Sequence, residues 1–291
     1  MKKIAIAIST LAIFSSCVFG VGIRVSPGTI VLFDAPVGEV YDFATRRNQS
    51  IVIGPVERPT IYELDVEPAS VGKSFATGYV DFPNPDWFRI GVDSVFIDEG
   101  ATSEIPMWLD IPNEDGLYNH HWLLGIPVTP ISVGGSGPQI QVGAYLLFRF
   151  ETESKIGVIP KCAENEMVSV PSVAEVEEYI PGDSVSLVLE LFQGGPLAGI
   201  YTVKPLDPTS EVAVYTIKNT PGYPRLKNPD WIQYPDTVVI PGRDEEAGAV
   251  FPITIKVPRG EQFRRFEEIL MFEGKNTRPA FMRILVRVKQ G

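Results

Sequence analysis

The sequence predicts an all-β protein built as two tandem antiparallel β-sandwiches. Three observations support this fold class. Glycine and proline each occur 26 times among the 291 residues, which is typical of many short strands separated by turns. Apolar and polar residues alternate with a period of two in several segments. Corresponding motifs recur about 144 positions apart, a period that has the size of a domain.

The first twenty residues predict a cleaved signal peptide. Lys2 and Lys3 supply a positive start, and residues 4–14 form an apolar run that is too short for a good membrane span. Small residues around Gly20 predict cleavage before Val21. A lipoprotein signal ending at Cys17 is the alternative, but the apolar sequence after Cys17 favours ordinary cleavage. The chain is therefore expected to be exported to the periplasm, cell surface or extracellular space, with no membrane span in its mature form.

Charge and cysteine content exclude several classes of partner. The formal net charge is −11, and loss of Lys2 and Lys3 would leave 23 basic against 36 acidic residues, or −13. Such a chain is repelled by nucleic acid and by anionic membranes, so neither is an expected partner. Cys162 would be the remaining cysteine, so stability must come from the hydrophobic cores.

The tetrapeptide Asn-Pro-Asp-Trp anchors the internal repeat. It occurs at 84–87 and at 228–231, and further matches follow at spacings of 144 and 146, at Gly38 with Gly182 and at 105–112 with 251–258. The first copy carries extra residues at 133–138, interpreted as a hairpin tip where insertions cost little. We therefore predict a signal peptide at 1–20, a first sandwich at 21–154 and a second sandwich, an internal duplicate, at 155–291.

Individual strands follow from the alternation. Residues 62–67 and 253–257 place apolar side chains on one face and polar side chains on the other, and residues 184–191 place Val185, Leu187, Leu189 and Leu191 on one face. Residues 261–273 disagree, because Phe263, Phe266, Ile269 and Leu270 recur at helical spacing. From the first copy we expect at most one helical turn there, followed by a strand at 269–272.

The opening of the first copy resembles a known family. Ile23-Arg24-Val25-Ser26-Pro27, then Pro36-Val37-Gly38, then a strand running to Asn48 resemble the start of bacterial PapD-like immunoglobulin-like domains. The run from Trp87 to Tyr118 resembles the immunoglobulin-like modules of WxL-interacting surface proteins, although we expect no C-terminal membrane anchor like theirs in this chain. The resemblance implies immunoglobulin-like sandwiches and life outside the cytoplasm.

The repeated tetrapeptide is interpreted as a fold-anchoring turn. Proline fixes its own φ, aspartate can accept bonds from nearby backbone amides, and tryptophan then enters the core. This interpretation assigns anchoring roles to both copies, at Pro85, Asp86, Trp87, Pro229, Asp230 and Trp231. A sugar-stacking platform is the alternative.

Candidate binding residues are aromatic. Trp108, Tyr118 and Trp122 are candidates for exposed stacking surfaces toward a polysaccharide, and Trp108 points away from its apolar neighbours in the predicted strand. His120 and His121 should face opposite sides of a strand, so a shared metal is disfavoured. The oxygen ligands of 110–115 leave structural calcium as an alternative, but we expect no metal or other cofactor.

No catalytic constellation stands out, and the chain is predicted not to be an enzyme. Residues 134–138 miss the nucleophile-elbow pattern, and Cys162 has no histidine near it in sequence. The leading hypothesis is an exported structural or binding protein of the cell envelope or surface. It would act through sandwich faces and edge strands on other envelope proteins or on copies of itself.

Two alternatives remain. One is a periplasmic chaperone for fibre or pilus subunits, although the early strand at 29–33 lacks the basic residue that this family uses. The other is a carbohydrate-binding module.

Overall fold

The described part of the protein is all-β, with short helices only between strands. The computed structural model describes residues 23–69, 71–131, 142–245, 247–261, 263–275 and 277–289. The predicted signal peptide, its Cys17 alternative and the predicted hairpin tip at 133–138 lie outside these residues. Within the described ranges, no helix has the length and apolar content needed to cross a membrane.

Thirteen described strands, which we call the first unit, form three sheets in the orders β1-β4-β10, β3-β11-β8 and β2-β13-β12-β5-β9. Strands β6 and β7 add to β12. The bounds are β1 (Val25–Ser26), β2 (Thr29–Ala35), β3 (Val40–Asp42), β4 (Ile51–Ile53), β5 (Thr60–Leu64), β6 (Glu67–Pro68), β7 (Val80–Asp81), β8 (Phe88–Ile90), β9 (Ser94–Ile97), β10 (Ser103–Ile105), β11 (Met107–Asp110), β12 (His121–Ile131) and β13 (Ala144–Thr152).

Nine further described strands, the second unit, form two sheets in the orders β14-β16-β20-β18 and β15-β22-β21-β17-β19. The bounds are β14 (Met167–Val170), β15 (Val173–Tyr179), β16 (Val185–Gln193), β17 (Gly199–Pro205), β18 (Ile232–Gln233), β19 (Thr237–Ile240), β20 (Ala249–Ile255), β21 (Arg265–Gly274) and β22 (Ala280–Val288). Pairing is antiparallel except at β15–β22 here and at β2–β13 and β7–β12 in the first unit.

The helices are α1 (Phe43–Arg47), α2 (Lys73–Ala76) and α3 (Glu211–Tyr215). Helix α1 begins where the Asp42 carboxylate accepts a hydrogen bond from the Thr45 amide at 3.1 Å. It ends at Asn48, whose φ of 51° lies in the left-handed region that asparagine tolerates. This helix separates β3 from β4, whereas the second unit has one continuous strand, β16, at the corresponding place.

The two units share one strand order. The five-stranded path β2-β13-β12-β5-β9 corresponds to β15-β22-β21-β17-β19, and the two small sheets of the first unit together correspond to β14-β16-β20-β18. Strands β2 and β15 are each seven residues long and begin 144 positions apart. Within them, Asp34 and Glu178 both adopt a positive φ, of 56° and 54°.

Each unit has its own apolar core, and a third cluster joins them. The first core contains Phe148 and Phe150, and the second contains Phe251 and Phe272. The joining cluster takes buried side chains from both units: Tyr79, Leu123, Leu206, Ile217, Ile269, Met271 and Phe281. The units are therefore packed against each other through a contact that excludes water.

The alternation in β16 is confirmed, whereas the expectation for residues 261–273 was partly wrong. Leu189, Leu191 and Gln193 are buried, whereas the residues that alternate with them, Val188, Glu190 and Phe192, are exposed or half-buried. No helical turn occurs among the described residues of 261–273, and strand β21 begins already at Arg265. This strand is buried on both faces, because Leu270 and Phe272 enter the second core while Ile269 and Met271 meet the first unit. A continuous apolar run of this kind hides the period of two.

Candidate functional site

A cleft of about 630 Å³ opens where the two units meet. Its walls come from β2, β13, β15, β16 and β22 and from the segment that follows β13. Apolar side chains form much of the lining: Phe33, Ile156, Val173, Leu187, Leu189 and Leu285. The charged lining is mostly acidic, with Asp34, Glu151 and Glu175 beside one guanidinium, that of Arg283.

Arg283 on β22 forms the floor of the cleft and ties the units together. Its side chain is only 1% exposed. Nε and Nη2 each donate to one oxygen of Glu151, at 2.6 Å, and Nη1 donates to Glu267 at 2.7 Å. Glu151 lies on β13 of the first unit and Glu267 on β21 of the second. Burial opposes the charge of Arg283, but the two carboxylates outweigh it and hold its pKa above the ordinary value.

The carboxylates of Glu151 and Glu267 also accept hydrogen bonds from neutral donors. The Tyr79 hydroxyl donates to Glu151 at 2.8 Å, and burial together with Glu151 raises the pKa of Tyr79 well above its usual range, so that it remains a donor. Thr220 donates to Glu267 through its amide at 3.0 Å and its hydroxyl at 2.8 Å. One guanidinium thus faces two carboxylates, which leaves the floor with a net negative charge and no free cationic donor among the described lining residues.

Glu268, the next residue on β21, is buried with a weaker partner. Its carboxylate accepts from the Ile269 amide at 3.0 Å, and Nη1 of Arg225 lies 4.0 Å away. Burial raises the pKa of Glu268 to about 7, and the negative charge of Glu267 adds to that effect, although the Ile269 amide and Arg225 act in the opposite direction.

The substitution Glu268→Gln is expected to stabilise the protein above neutral pH. The carboxyl ionises near 4.5 in the unfolded chain but keeps its proton to about pH 7 in the folded one. Wild-type stability attributable to this group therefore falls as pH rises through that window. Chemical denaturation of both proteins between about pH 4 and pH 8 should give a difference that grows to about 3 kcal/mol in favour of the variant. A difference that is constant with pH would contradict the raised pKa.

Trp122 is buried, so the prediction that it is an exposed stacking residue was wrong. It is 2% exposed, inside an aromatic cluster with Phe82 at 5.5 Å and Trp87 at 6.2 Å between ring centroids. The imidazole of His120 stacks on it at 4.9 Å. The physical reason is that β12 lies in the middle of a sheet and is buried along most of its length.

Trp108 and Tyr118 keep partly exposed rings. Trp108 is half-buried on β11 between the buried Met107 and Leu109, as the alternation predicted. Tyr118 packs against the first core while the Lys155 ammonium lies 4.6 Å from its ring centroid. Binding by either residue stays a prediction.

The repeated tetrapeptide forms the same 3₁₀ turn twice, at Pro85–Trp87 and Pro229–Trp231. The capping side chain is the preceding asparagine rather than the expected aspartate, since Asn84 and Asn228 each accept from the amide two residues on at 3.1 Å. Trp87 packs against the first core and Trp231 against the second, both partly exposed. The anchoring role of Pro85, Asp86, Pro229 and Asp230 stays a prediction.

The two histidines make separate contacts. His120 places Nε2 2.9 Å from the Gly116 carbonyl and Nδ1 2.7 Å from Glu166. His121 stacks on Phe281 at 3.9 Å, and burial, with Arg283 and then His120 adding to it, holds its pKa well below the usual range. Neither carries an exposed, free imidazole.

The remaining candidate ligands are occupied or unreactive. Asp110 faces Arg89 at 3.6 Å, and Asp115 binds Lys155 at 2.6 Å. The described residues contain no group of three or more His, Cys, Asp or Glu side chains placed to hold a metal. Burial and Glu166 raise the pKa of the Cys162 thiol well above its usual range, which keeps it protonated and weakly nucleophilic.

Comparisons with known proteins give weak matches to structure and none to sequence families. No family model matches, and no curated protein matches. A Porphyromonas gingivalis protein of unknown function is 8% identical, with a TM-score of 0.33, covering 91% of this chain and 99% of its own. The Escherichia coli chaperone DraB is 10% identical, with a TM-score of 0.31, covering 92% and 99%. Domain 7 of human CEP192, a PapD-like domain, is 11% identical, with a TM-score of 0.33, covering 52% and 99%.

The resemblance to PapD-like domains is thus confirmed as a weak one.

Proposed function

We propose that this chain is an exported, non-enzymatic structural protein of the cell envelope or surface that associates with further copies of itself through edge strands. In this proposal the units are duplicated immunoglobulin-like sandwiches, at 21–154 and 155–291. The N-terminal signal pattern supports export, and the shared strand order and the repeat spacing of 144 support duplication. A role in binding rather than catalysis is supported by the cleft, where the titratable groups of the floor are bound to one another.

The observation that carries this function is an exposed apolar residue on each outer edge strand, placed opposite an apolar residue of the neighbouring strand. Strand β9 is the edge of the large sheet in the first unit, and β19 is its counterpart in the second. Phe96 on β9 is 53% exposed and lies opposite Ile61. Val239 on β19 is 59% exposed and lies opposite Ile200, itself 69% exposed.

These edges lack the usual protection against pairing. Monomeric proteins commonly place lysine or proline on an exposed edge, whereas β9 reads Ser-Val-Phe-Ile and β19 reads Thr-Val-Val-Ile. The unpaired backbone of such a strand can extend the sheet into another chain, and the outward apolar side chains would be buried in the same contact. Because each chain has two such edges, association can continue into a larger assembly.

Lysines on the two edges test this function. The double variant F96K/V239K is expected to sediment as a single chain, because paired lysines would be buried at the contact, while the wild type sediments as larger, concentration-dependent species. Val214→Lys, on the exposed face of α3, is the matched control and should associate like the wild type. Association that survives both edge lysines would exclude β9 and β19 as the contact.

The alternatives receive less support. A chaperone that clamps a client carboxylate needs a free basic group in its cleft, and the guanidinium of Arg283 is already bound to two carboxylates. A carbohydrate-binding role would rest on the partly exposed rings of Trp108 and Tyr118, without Trp122.

A further inference from the structure

One strand beside the cleft is left half unpaired. Strand β16 pairs with β20 from Val185 to Leu191, but on its other side β14 reaches only Glu190–Gln193. After Val170 the chain crosses to the other sheet and continues as β15 along β22. Residues 185–189 of β16 therefore have no strand neighbour on that side among the described residues.

The corresponding gap in the first unit is bridged. There α1 separates β3 from β4, and Arg47 at its end donates from Nη1 to the Val31 carbonyl of β2 at 3.1 Å. The second unit contains no equivalent helix between 185 and 193, since β16 runs through without interruption. The opening beside β16 is thus specific to the second unit, and the cleft lies in it, with Leu187, Val188 and Leu189 on its wall.

The free edge meets an apolar and acidic surface. Val188 is 64% exposed, and Leu187 and Ile156 also face the cleft. Asp34 and Glu175 are exposed at its rim, and the only basic group in the described lining, Arg283, is bound by Glu151 and Glu267. A ligand seated here meets hydrogen-bonding backbone on one side, apolar side chains below, and uncompensated negative charge around it.

We propose that this cleft binds an extended segment of another protein that alternates apolar residues with lysine or arginine. The segment pairs with residues 185–189 of β16 and so occupies the place that a longer β14 would take. Five paired residues correspond to a strand of roughly 17 Å. Backbone hydrogen bonds supply affinity, the apolar side chains pack against Ile156, Leu187 and Val188, and the basic side chains meet Asp34 and Glu175. This site is separate from the β9 and β19 edges and does not rest on the association proposed for them.

Synthetic peptides test the site directly. The probe is a seven-residue peptide alternating valine and lysine, compared with one alternating valine and glutamate and with a valine–lysine peptide carrying proline at its centre. Titration calorimetry on the full mature protein should show binding of the first peptide alone, because glutamate is repelled and proline lacks the amide that pairs with β16. Binding should also slow amide hydrogen exchange at 185–189 and leave β9 unchanged.

Charge variants at the rim provide the specificity control. The double variant D34N/E175K should bind the valine–lysine peptide about tenfold more weakly. Asparagine is chosen to replace Asp34 because it tolerates the positive φ of that position. Glu99→Lys, which changes an exposed acid of the first unit, should bind like the wild type. Repeating the titration in F96K/V239K separates this site from the edge strands, since loss of association there leaves the cleft intact.

Three outcomes would overturn the proposal. They are no binding of the valine–lysine peptide, equal binding of the valine–glutamate peptide, and binding that D34N/E175K leaves unchanged. If D34N/E175K sediments as a single chain while the wild type associates, a second copy of this chain occupies the cleft instead.

Discussion

Replacing Arg283 by methionine is expected to lower the free energy of unfolding by about 3–5 kcal/mol. The loss arises because Glu151 and Glu267 would remain buried without their cation, and a buried carboxylate without a partner is strongly unfavourable. Methionine fills a similar volume, so the effect reports the lost charge more than a cavity. Since Glu151 belongs to the first unit, the variant should also loosen the contact between units.

Urea denaturation followed by tryptophan fluorescence measures this change. Arg287→Met is the matched control on the same strand, because its ion pair with Glu177 at 3.1 Å is exposed and should contribute little to stability. In R283M/E151Q/E267Q the buried carboxylates are neutral, so much of the lost stability should return. Equal effects of R283M and R287M would show that the buried network does not hold the units together.

Replacing Trp122 by alanine is expected to cost about 3–5 kcal/mol. The indole is buried among Phe82, Trp87 and His120, and its removal leaves a cavity that these rigid rings cannot close. Trp108→Ala is the control, because Trp108 is only half-buried and its removal leaves a smaller cavity. Thermal denaturation should therefore separate the two variants clearly.

A small effect of W122A, equal to that of W108A, would contradict the packing described for the first unit. If W122A keeps wild-type stability but no longer binds a polysaccharide column, Trp122 is a binding residue after all.

The sequence predicts the strands that are buried on one face and misleads for those buried on both. Alternation located β16, where one side of the strand faces solvent. In β21 both sides are covered, so its apolar run matched a helical spacing that the backbone does not adopt. The burial of Trp122 could not be predicted for the same reason, since β12 is flanked by strands and covered by a core.

The site was beyond prediction for a different reason. The pairs that build it join residues far apart in sequence, as in Arg283 with Glu151, 132 positions away, and Tyr79 with Glu151, 72 positions away. A usable signal did exist for Arg283, which has three apolar residues on each side of it in β22, a context that implies buried partners. Their identity depends on how the units pack, and local pattern does not encode that packing.

The mass of the native assembly tests most directly whether exposed edge strands join copies of this chain. Light scattering on mature protein, gently extracted from its source, should give masses at whole multiples of a single chain that grow with concentration. A single-chain mass at every concentration would contradict association through β9 and β19.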